Sequence, residues 1–188
     1  MKIVHQLAEW TEHLLTAVGN VFRRRSTGRS DIGQRADIQF DNAEFLPKVV
    51  EMLNEGHTVT LRLRGYSMRP FLENDRDKAL FTKPSVVKVG DPVLAEIAPG
   101  HFVLHRIIRL EGERVTLRGD GNLGNEECRR ENIVGAVIGF YRKGRETLDR
   151  TDGWKWRAYS WVWMHLSPIR RYLLGLYRRV WIPLFGVV

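Results

Sequence analysis

A single cysteine, Cys128, is present in this chain of 188 residues, so no internal disulfide can form. Cys128 lies between Glu127 and Arg129, away from any cluster of cysteine and histidine, and we expect an ordinary free thiol. The six histidines are scattered along the chain without the spacing of metal ligands. The sequence therefore predicts no metal site and no cofactor.

Long apolar runs are also missing. In the C-terminal region the longest uninterrupted run is Trp161–Met164, far shorter than the roughly 20 residues that a membrane-spanning helix needs. Charged residues such as Lys2, Glu9 and Glu12 interrupt the N-terminal region in the same way. We expect neither a signal peptide nor a transmembrane helix, and we expect a protein that is cytoplasmic or peripheral to a membrane.

Acidic residues are absent from Gly153 to Val188, although the whole chain carries 22 of them against 30 basic residues and has a net charge of +8. This stretch also holds five of the six tryptophans and six Lys or Arg residues. Tryptophan together with arginine is typical of membrane interfaces, so we expect an anionic membrane surface as a partner. The basic charge also fits a nucleic acid, but its concentration with tryptophan in one stretch argues against that partner.

Composition and periodicity divide the chain into four parts. In residues 1–22, apolar residues recur at steps of three and four and predict an amphipathic helix. Residues 23–37 have almost no apolar side chains and predict a flexible basic linker. Residues 38–150 begin with a short helix and continue as short β-branched runs between turns, which predicts a compact, mostly antiparallel β domain. With the flanking helices, the fold class is α+β overall and mainly β.

Residues 151–188 form the fourth part, a basic and aromatic helical tail. Pro168 is expected in its first turn and Pro183 is expected to end its helix. The tail helix carries one apolar stripe, made of Ile169, Tyr172, Leu173, Leu176 and Val180. The stripe predicts contact with a membrane surface, and the alternative is that the aromatic residues pack the tail onto the β domain.

The motif with the most chemical content is the segment Leu63–Pro70, which contains Ser67. It follows an alternating segment that predicts a strand, and Gly65 and Pro70 bracket the serine with a turn. A serine on a rigid turn at a strand end can expose its hydroxyl as a nucleophile must. Serines at turns also commonly do no more than hydrogen-bond the local backbone.

Further segments follow this motif in a characteristic order. They are Gly90–Leu94, Leu104–Ile108 with His105, Arg118–Asn122 with Asp120, and Val134–Phe140. Together with Tyr66–Pro70, this order resembles the signal peptidase I family, in the endoplasmic-reticulum and archaeal type that uses a histidine where the bacterial enzymes use a lysine. A looser likeness is to small signal-peptidase-like proteins of bacteria. The resemblance covers residues 58–142, a little under half of the chain.

The resemblance implies a fold like that of signal peptidases and SOS repressors, and it implies a serine endopeptidase. Ser67 is then the nucleophile, its backbone N–H serves the oxyanion hole, and His105 is the general base. An imidazole with an ordinary pKa near 6.5 can accept a proton at neutral pH. On pattern alone, a histidine in an apolar strand is more often structural.

The residue that orients the base stays open between Asp120 and Glu126. Asp120 matches the Gly-Asp of the family motif, although an Asp beside Gly also commonly stabilises a turn. Where the family type carries a second acidic pair, this chain has Asn125 and Glu126. The substrate class implied is a leader or precursor peptide. The alternatives are a catalytically inactive peptidase-like binding domain and a nucleic-acid-binding regulator of the SOS-repressor type.

Overall fold

The computed structural model describes residues 42–187, with side chains from Phe45 onward. Its strands are β1 (Val59–Arg62), β2 (Lys78–Thr82), β3 (Pro92–Ala98), β4 (His101–Glu111), β5 (Arg114–Arg118), β6 (Glu126–Arg129), β7 (Ile133–Tyr141) and β8 (Leu148–Arg150). Its helices are α1 (Asn42–Asn54), α2 (Trp154–His165), α3 (Arg170–Leu176) and α4 (Ile182–Phe185). Short 3-10 turns lie at Arg130–Asn132 and Ser167–Ile169, and a π-helical turn lies at Tyr177–Trp181.

All eight strands join one antiparallel sheet in the order β1-β2-β7-β3-β4-β5-β6, and β8 pairs with β7 outside this path. Strands account for about 34% and helices for about 31% of the structure, which confirms the predicted α+β, mainly β class. β4 and β5 pair as a hairpin whose turn contains Gly112. Gly112 takes a positive φ of 56°, a conformation that glycine adopts without steric cost.

The sheet buries apolar side chains on both faces, because successive residues of a strand point to opposite sides. Along β3, Leu94 joins a cluster with Leu53 of α1, whereas Val93 and Ala95 join a second cluster with Ile107. The first cluster lies between the sheet and helices, whereas the second consists of residues from the strands themselves together with Val87.

The C-terminal helices pack onto this sheet. Trp156 of α2 is buried in the first cluster, and Tyr159 stacks on Phe71 with 4.5 Å between ring centroids. The prediction that Pro183 ends the helix is wrong, since α4 contains Pro183 and runs to Phe185. A proline ring inside a helix clashes with the carbonyl of the preceding turn. Here the preceding turn is the wider π turn, in which the N–H of Ile182 donates to the carbonyl of Tyr177.

Residues 42–187 belong to one compact unit that contains both the β domain and the helical tail. The predicted helix at 1–22 and the predicted linker at 23–37 lie outside the described residues. Among the described residues, no helix combines the length and the apolar character needed to cross a membrane.

Candidate active site

Ser67 lies in the loop between β1 and β2, and its side chain is half-buried. Neighbouring side chains fix this loop. Met68 is buried in the core, and the guanidinium of Arg69 binds the carboxylate of Glu73 at 2.8 and 2.6 Å. The buried carboxylate of Asp77 accepts the backbone N–H of Glu73 at 2.8 Å. The serine therefore stands on a loop with a defined conformation, as the Ser-Met-x-Pro motif predicts.

Two glycines allow the turn Arg118–Asn122 to pack directly against the Ser67 loop. A Cβ on residue 119 would stand 2.4 Å from the carbonyl oxygen of Ser67, and a Cβ on residue 121 would stand 2.6 Å from that of Tyr66. No carbon fits at these distances, so Gly119 and Gly121 cannot carry side chains without moving the backbone. The N–H of Gly121 donates to the carbonyl of Ser67 at 2.7 Å. This turn therefore supports the backbone of the candidate nucleophile.

His105 lies on β4 and is only 3% exposed. Its Nδ1 is 2.6 Å from Oε2 of Glu126, which stands at the start of β6. Within residues 42–187, neither atom has a hydrogen-bond partner of good geometry, so the contact is a close approach of the carboxylate to the ring and not an aligned hydrogen bond. The other ring nitrogen, Nε2, lies near the backbone of the Ser67 loop, because a Cβ on residue 119 would stand 3.0 Å from Nε2 and 2.4 Å from the Ser67 carbonyl oxygen. The imidazole thus has a carboxylate on one side and the serine loop on the other.

Burial lowers the pKa of His105 below its ordinary value, and the carboxylate of Glu126 opposes this effect only in part. A buried imidazole favours the neutral state because the cation loses its hydration. At neutral pH the ring is therefore uncharged and able to accept a proton. With Glu126 next to Nδ1, the proton of the neutral ring belongs on Nδ1, which leaves Nε2 as the acceptor on the side of Ser67.

Asp120 has different partners. It is fully buried, and its two carboxylate oxygens accept hydrogen bonds from the guanidinium of Arg106 at 2.9 and 2.7 Å. The hydroxyl of Tyr159 donates to the same carboxylate at 2.9 Å. Arg106 also donates to the carbonyl of Gly90 at 2.9 Å and contacts the hydroxyl of Ser160. Of the two carboxylates left open by the sequence, Glu126 contacts the imidazole and Asp120 holds a buried arginine.

The structure brings the backbone of Ser67 close to His105, and it brings His105 into contact with Glu126. In the described residues no hydrogen bond joins the Ser67 hydroxyl to the His105 ring. Catalytic hydrogen bonds are often long in the absence of substrate. The observation that relates the two residues is that Nε2 of His105 and the backbone of Ser67 lie next to the same glycine, Gly119. The chemistry that fits is proton transfer from a serine hydroxyl to a neutral imidazole.

Sequence reasoning missed several residues around the site, namely Arg106, Tyr159, Trp163 and Arg178. One signal was available, because Arg106 stands inside an apolar strand and a buried arginine needs a carboxylate partner. The other three come from the C-terminal helices, and nothing local in the sequence connects them with Asp120 or Gly121.

Within the described residues, no group of three or more His, Cys, Asp or Glu side chains is arranged to hold a metal ion. Cys128 is a free thiol, as predicted, and burial raises its pKa. A comparison with protein-family models finds no matching family. A comparison with curated proteins finds no match either.

Proposed function

We propose that this protein is a serine endopeptidase in which Ser67 is the nucleophile, His105 the general base and Glu126 the residue that orients the base. The observation that carries the proposal is the buried imidazole, with Nδ1 at 2.6 Å from Glu126 and Nε2 near the backbone of the Ser67 loop. This is the order of roles that serine hydrolysis needs, namely an orienting carboxylate, a neutral base and a hydroxyl. The resemblance of residues 58–142 to signal peptidases supports the roles of Ser67 and His105.

The reaction then proceeds through an acyl-enzyme. The hydroxyl of Ser67 transfers its proton to Nε2 of His105 while its oxygen attacks the carbonyl carbon of the scissile bond. The negative charge of Glu126 stabilises the imidazolium that forms, and the imidazolium then protonates the leaving amine. The backbone N–H of Ser67 is the expected donor to the oxyanion. Water hydrolyses the ester with His105 again acting as the base.

The expected substrate is an extended leader or precursor peptide. Among the strands of residues 42–187, β1 is the last at one edge of the sheet and leads directly into the Ser67 loop. The unpaired side of an edge strand can bind a peptide as an additional strand, with alternate side chains pointing into pockets. A peptide bound in this way would run past Ser67.

We further propose that the protein works at the surface of an anionic membrane. Five residues of the tail, which we call the outer stripe, recur at steps of three and four and are 44–76% exposed. They are Ile169, Tyr172, Leu176, Val180 and Leu184. Arg170 and Leu174 face the opposite way and are buried. An exposed apolar stripe can insert at the surface of a bilayer, and basic residues without acidic neighbours are attracted to anionic headgroups.

The test of the peptidase proposal is cleavage of a peptide library by the wild-type protein and by Ser67→Ala. We expect cleavage by the wild type and none by the variant, with unchanged thermal midpoints because the substitution removes only a hydroxyl from a half-buried side chain. A matched control is Ser85→Ala, a serine in an exposed position outside the site. Cleavage by Ser67→Ala at the wild-type rate would overturn the assignment. If the folded wild type bound peptides without cleaving them, the inactive binding domain would be the better description.

The test of the membrane proposal is pelleting with vesicles that contain phosphatidylserine. The double variant Leu176→Gln/Leu184→Gln should lose binding, because it removes apolar area from the outer stripe without changing charge. Val86→Gln, at a site 90% exposed outside the tail, is the control. Equal binding of both variants and the wild type would contradict a role for the stripe. Binding to DNA in place of vesicles, with strong salt dependence, would favour a nucleic-acid partner.

A further inference from the structure

Three side chains of the C-terminal helices hold the turn Arg118–Asn122. The hydroxyl of Tyr159 donates to the carboxylate of Asp120 at 2.9 Å, and Nε1 of Trp163 donates to the carbonyl of Asp120 at 3.1 Å. The guanidinium of Arg178 donates to the carbonyl of Gly121 at 2.8 Å. The tail thus supplies hydrogen-bond donors to the backbone carbonyls of Asp120 and Gly121 and to the carboxylate of Asp120. We call Tyr159, Trp163 and Arg178 the clasp.

The opposite side of the same turn touches the Ser67 loop. Gly121 donates its N–H to the Ser67 carbonyl at 2.7 Å, while the clasp binds the carbonyl of the same glycine. Gly119 leaves no room for a Cβ between itself and Ser67. The turn is therefore packed between the clasp and the nucleophile loop, and a shift of the turn must move the Ser67 backbone.

The local structure of the tail suits this role. Tyr159 and Trp163 stand one helical turn apart on α2, and their rings stack with 6.1 Å between centroids. Trp163 is buried, so its side chain is held in place and its indole N–H stays directed at the carbonyl of Asp120. Arg178 belongs to the π turn Tyr177–Trp181. Such turns redirect the side chains of a helix and are frequent at functional sites.

We propose that the clasp residues are positioning residues of the active site, which set the place of Ser67 relative to His105 through the turn Arg118–Asn122. The inference rests on the proposed peptidase function for its kinetic consequence. The tail is then part of the catalytic apparatus as well as of the core. Small displacements of a reacting group reduce rates strongly, so loss of clasp hydrogen bonds should slow the reaction at Ser67 without changing the protonation of His105.

The experiment measures the rate at which a fluorophosphonate labels Ser67, in solution without membranes. Trp163→Phe removes the N–H and keeps an aromatic ring, and Arg178→Gln removes the guanidinium. We expect the double variant to be labelled about 10- to 100-fold more slowly than the wild type, with the same midpoint in its pH profile. Arg178→Lys should restore part of the rate lost in Arg178→Gln. The controls make the same changes at exposed positions, Trp154→Phe and Arg179→Gln, and should be labelled at the wild-type rate.

Amide hydrogen exchange separates positioning from general destabilisation and does not depend on peptidase activity. In the double variant, exchange should become faster in 66–69 and 119–122 and stay unchanged in β3 and β4. Wild-type labelling rates in the double variant would overturn the proposal, and so would faster exchange throughout the sheet. If the wild type itself is not labelled, the peptidase proposal fails, and the clasp proposal is then tested by hydrogen exchange alone. Local loss of protection would then support the clasp, and unchanged protection at 119–122 would overturn it.

Discussion

At the scale of single residues, the two carboxylates near His105 have separate tasks. Glu126 is the one that contacts the imidazole, and it is partly open to solvent. Asp120 is fully buried and neutralises Arg106, which is also fully buried. Removing one member of a buried ion pair leaves the other charge without compensation. The two residues should therefore respond differently to the loss of a negative charge.

This difference gives a paired prediction. Glu126→Gln should lower the cleavage rate by a factor on the order of 100 or more, because the imidazolium loses its stabilising charge, and should leave the thermal midpoint nearly unchanged. Asp120→Asn should lower the free energy of unfolding by about 3 kcal/mol. Denaturant unfolding and initial cleavage rates measure the two effects. If Glu126→Gln were fully active and Asp120→Asn were stable but inactive, the roles of the two carboxylates would be reversed.

The lowered pKa of His105 predicts the pH dependence of both activity and stability. Activity needs the neutral ring, so it should fall as pH drops and reach half its plateau below pH 6.5, the ordinary value for histidine. Between the lowered pKa and 6.5 the unfolded chain binds the proton that the folded chain does not. The free energy of unfolding should therefore decrease as pH falls through this window, which urea titrations at several pH values can measure.

The variant His105→Gln should lose that pH-dependent decrease in stability, whereas His57→Gln, at an exposed position, should retain it. A half-maximal activity above pH 6.5 would show that the ring is not held neutral, and it would contradict the role of burial.

At the scale of secondary structure elements, the site depends on a close approach between two loops. The Ser67 loop joins β1 to β2, and the glycine turn joins β5 to β6, so strands from opposite parts of the sheet supply the two halves. The side chain of His105, on β4, lies next to both the Ser67 loop and the glycine turn. The two loops are joined directly, because the N–H of Gly121 donates to the carbonyl of Ser67 at 2.7 Å.

Substituting a glycine of the turn tests this packing. Gly119→Ala should abolish cleavage, because its Cβ would stand 2.4 Å from the Ser67 carbonyl and 3.0 Å from Nε2 of His105. Gly124→Ala is the matched control, since nothing lies within 4 Å of the position of its Cβ. Cleavage rates of the two folded variants give the answer. Wild-type activity in Gly119→Ala would show that the close approach has no functional role.

The elements also show what the sequence can and cannot predict. The hairpin β4–β5 was predictable because its turn is local and contains Gly112. The choice between Asp120 and Glu126 was not, because it depends on how β4, β5 and β6 align across the sheet. The stripe of the tail was visible as a period in the sequence. The sequence left open whether the stripe contacts a membrane or packs on the domain, because a helix with one apolar face normally buries that face. In the structure all of the predicted stripe except Leu173 is exposed, and Arg170 and Leu174 face the domain.

At the scale of the whole molecule, the helical tail and the β domain form one core. Trp156 packs against Phe140 with 5.1 Å between ring centroids, and Ser160 contacts Arg106 beside the site. The tail cannot therefore be treated as an appendage that a protein could lose while keeping the β domain intact. Its outer stripe and its inner clasp lie on the same short set of helices.

A chain ending at Thr151 should consequently fail to fold cooperatively. It would lose the burial of Trp156 and Trp163, and large aromatic side chains removed from a core cost about 3–5 kcal/mol each, which is a large part of the stability of a typical domain. Circular dichroism during heating would report the loss of a cooperative transition. A shortened protein with a sharp transition near that of the full chain would contradict the shared core, and would make truncation a valid test of membrane binding.

The peptidase proposal depends above all on Ser67 being an activated nucleophile, and identifying the residue that a serine-reactive probe modifies tests this directly. The full-length protein is treated with a fluorophosphonate at neutral pH, digested and analysed by mass spectrometry, with His105→Ala as the control. We predict one adduct in the wild type, on Ser67, and a loss of labelling in His105→Ala, because the hydroxyl then has no base. No adduct on Ser67 in the folded wild-type protein, or equal labelling in the absence of His105, would contradict the proposal.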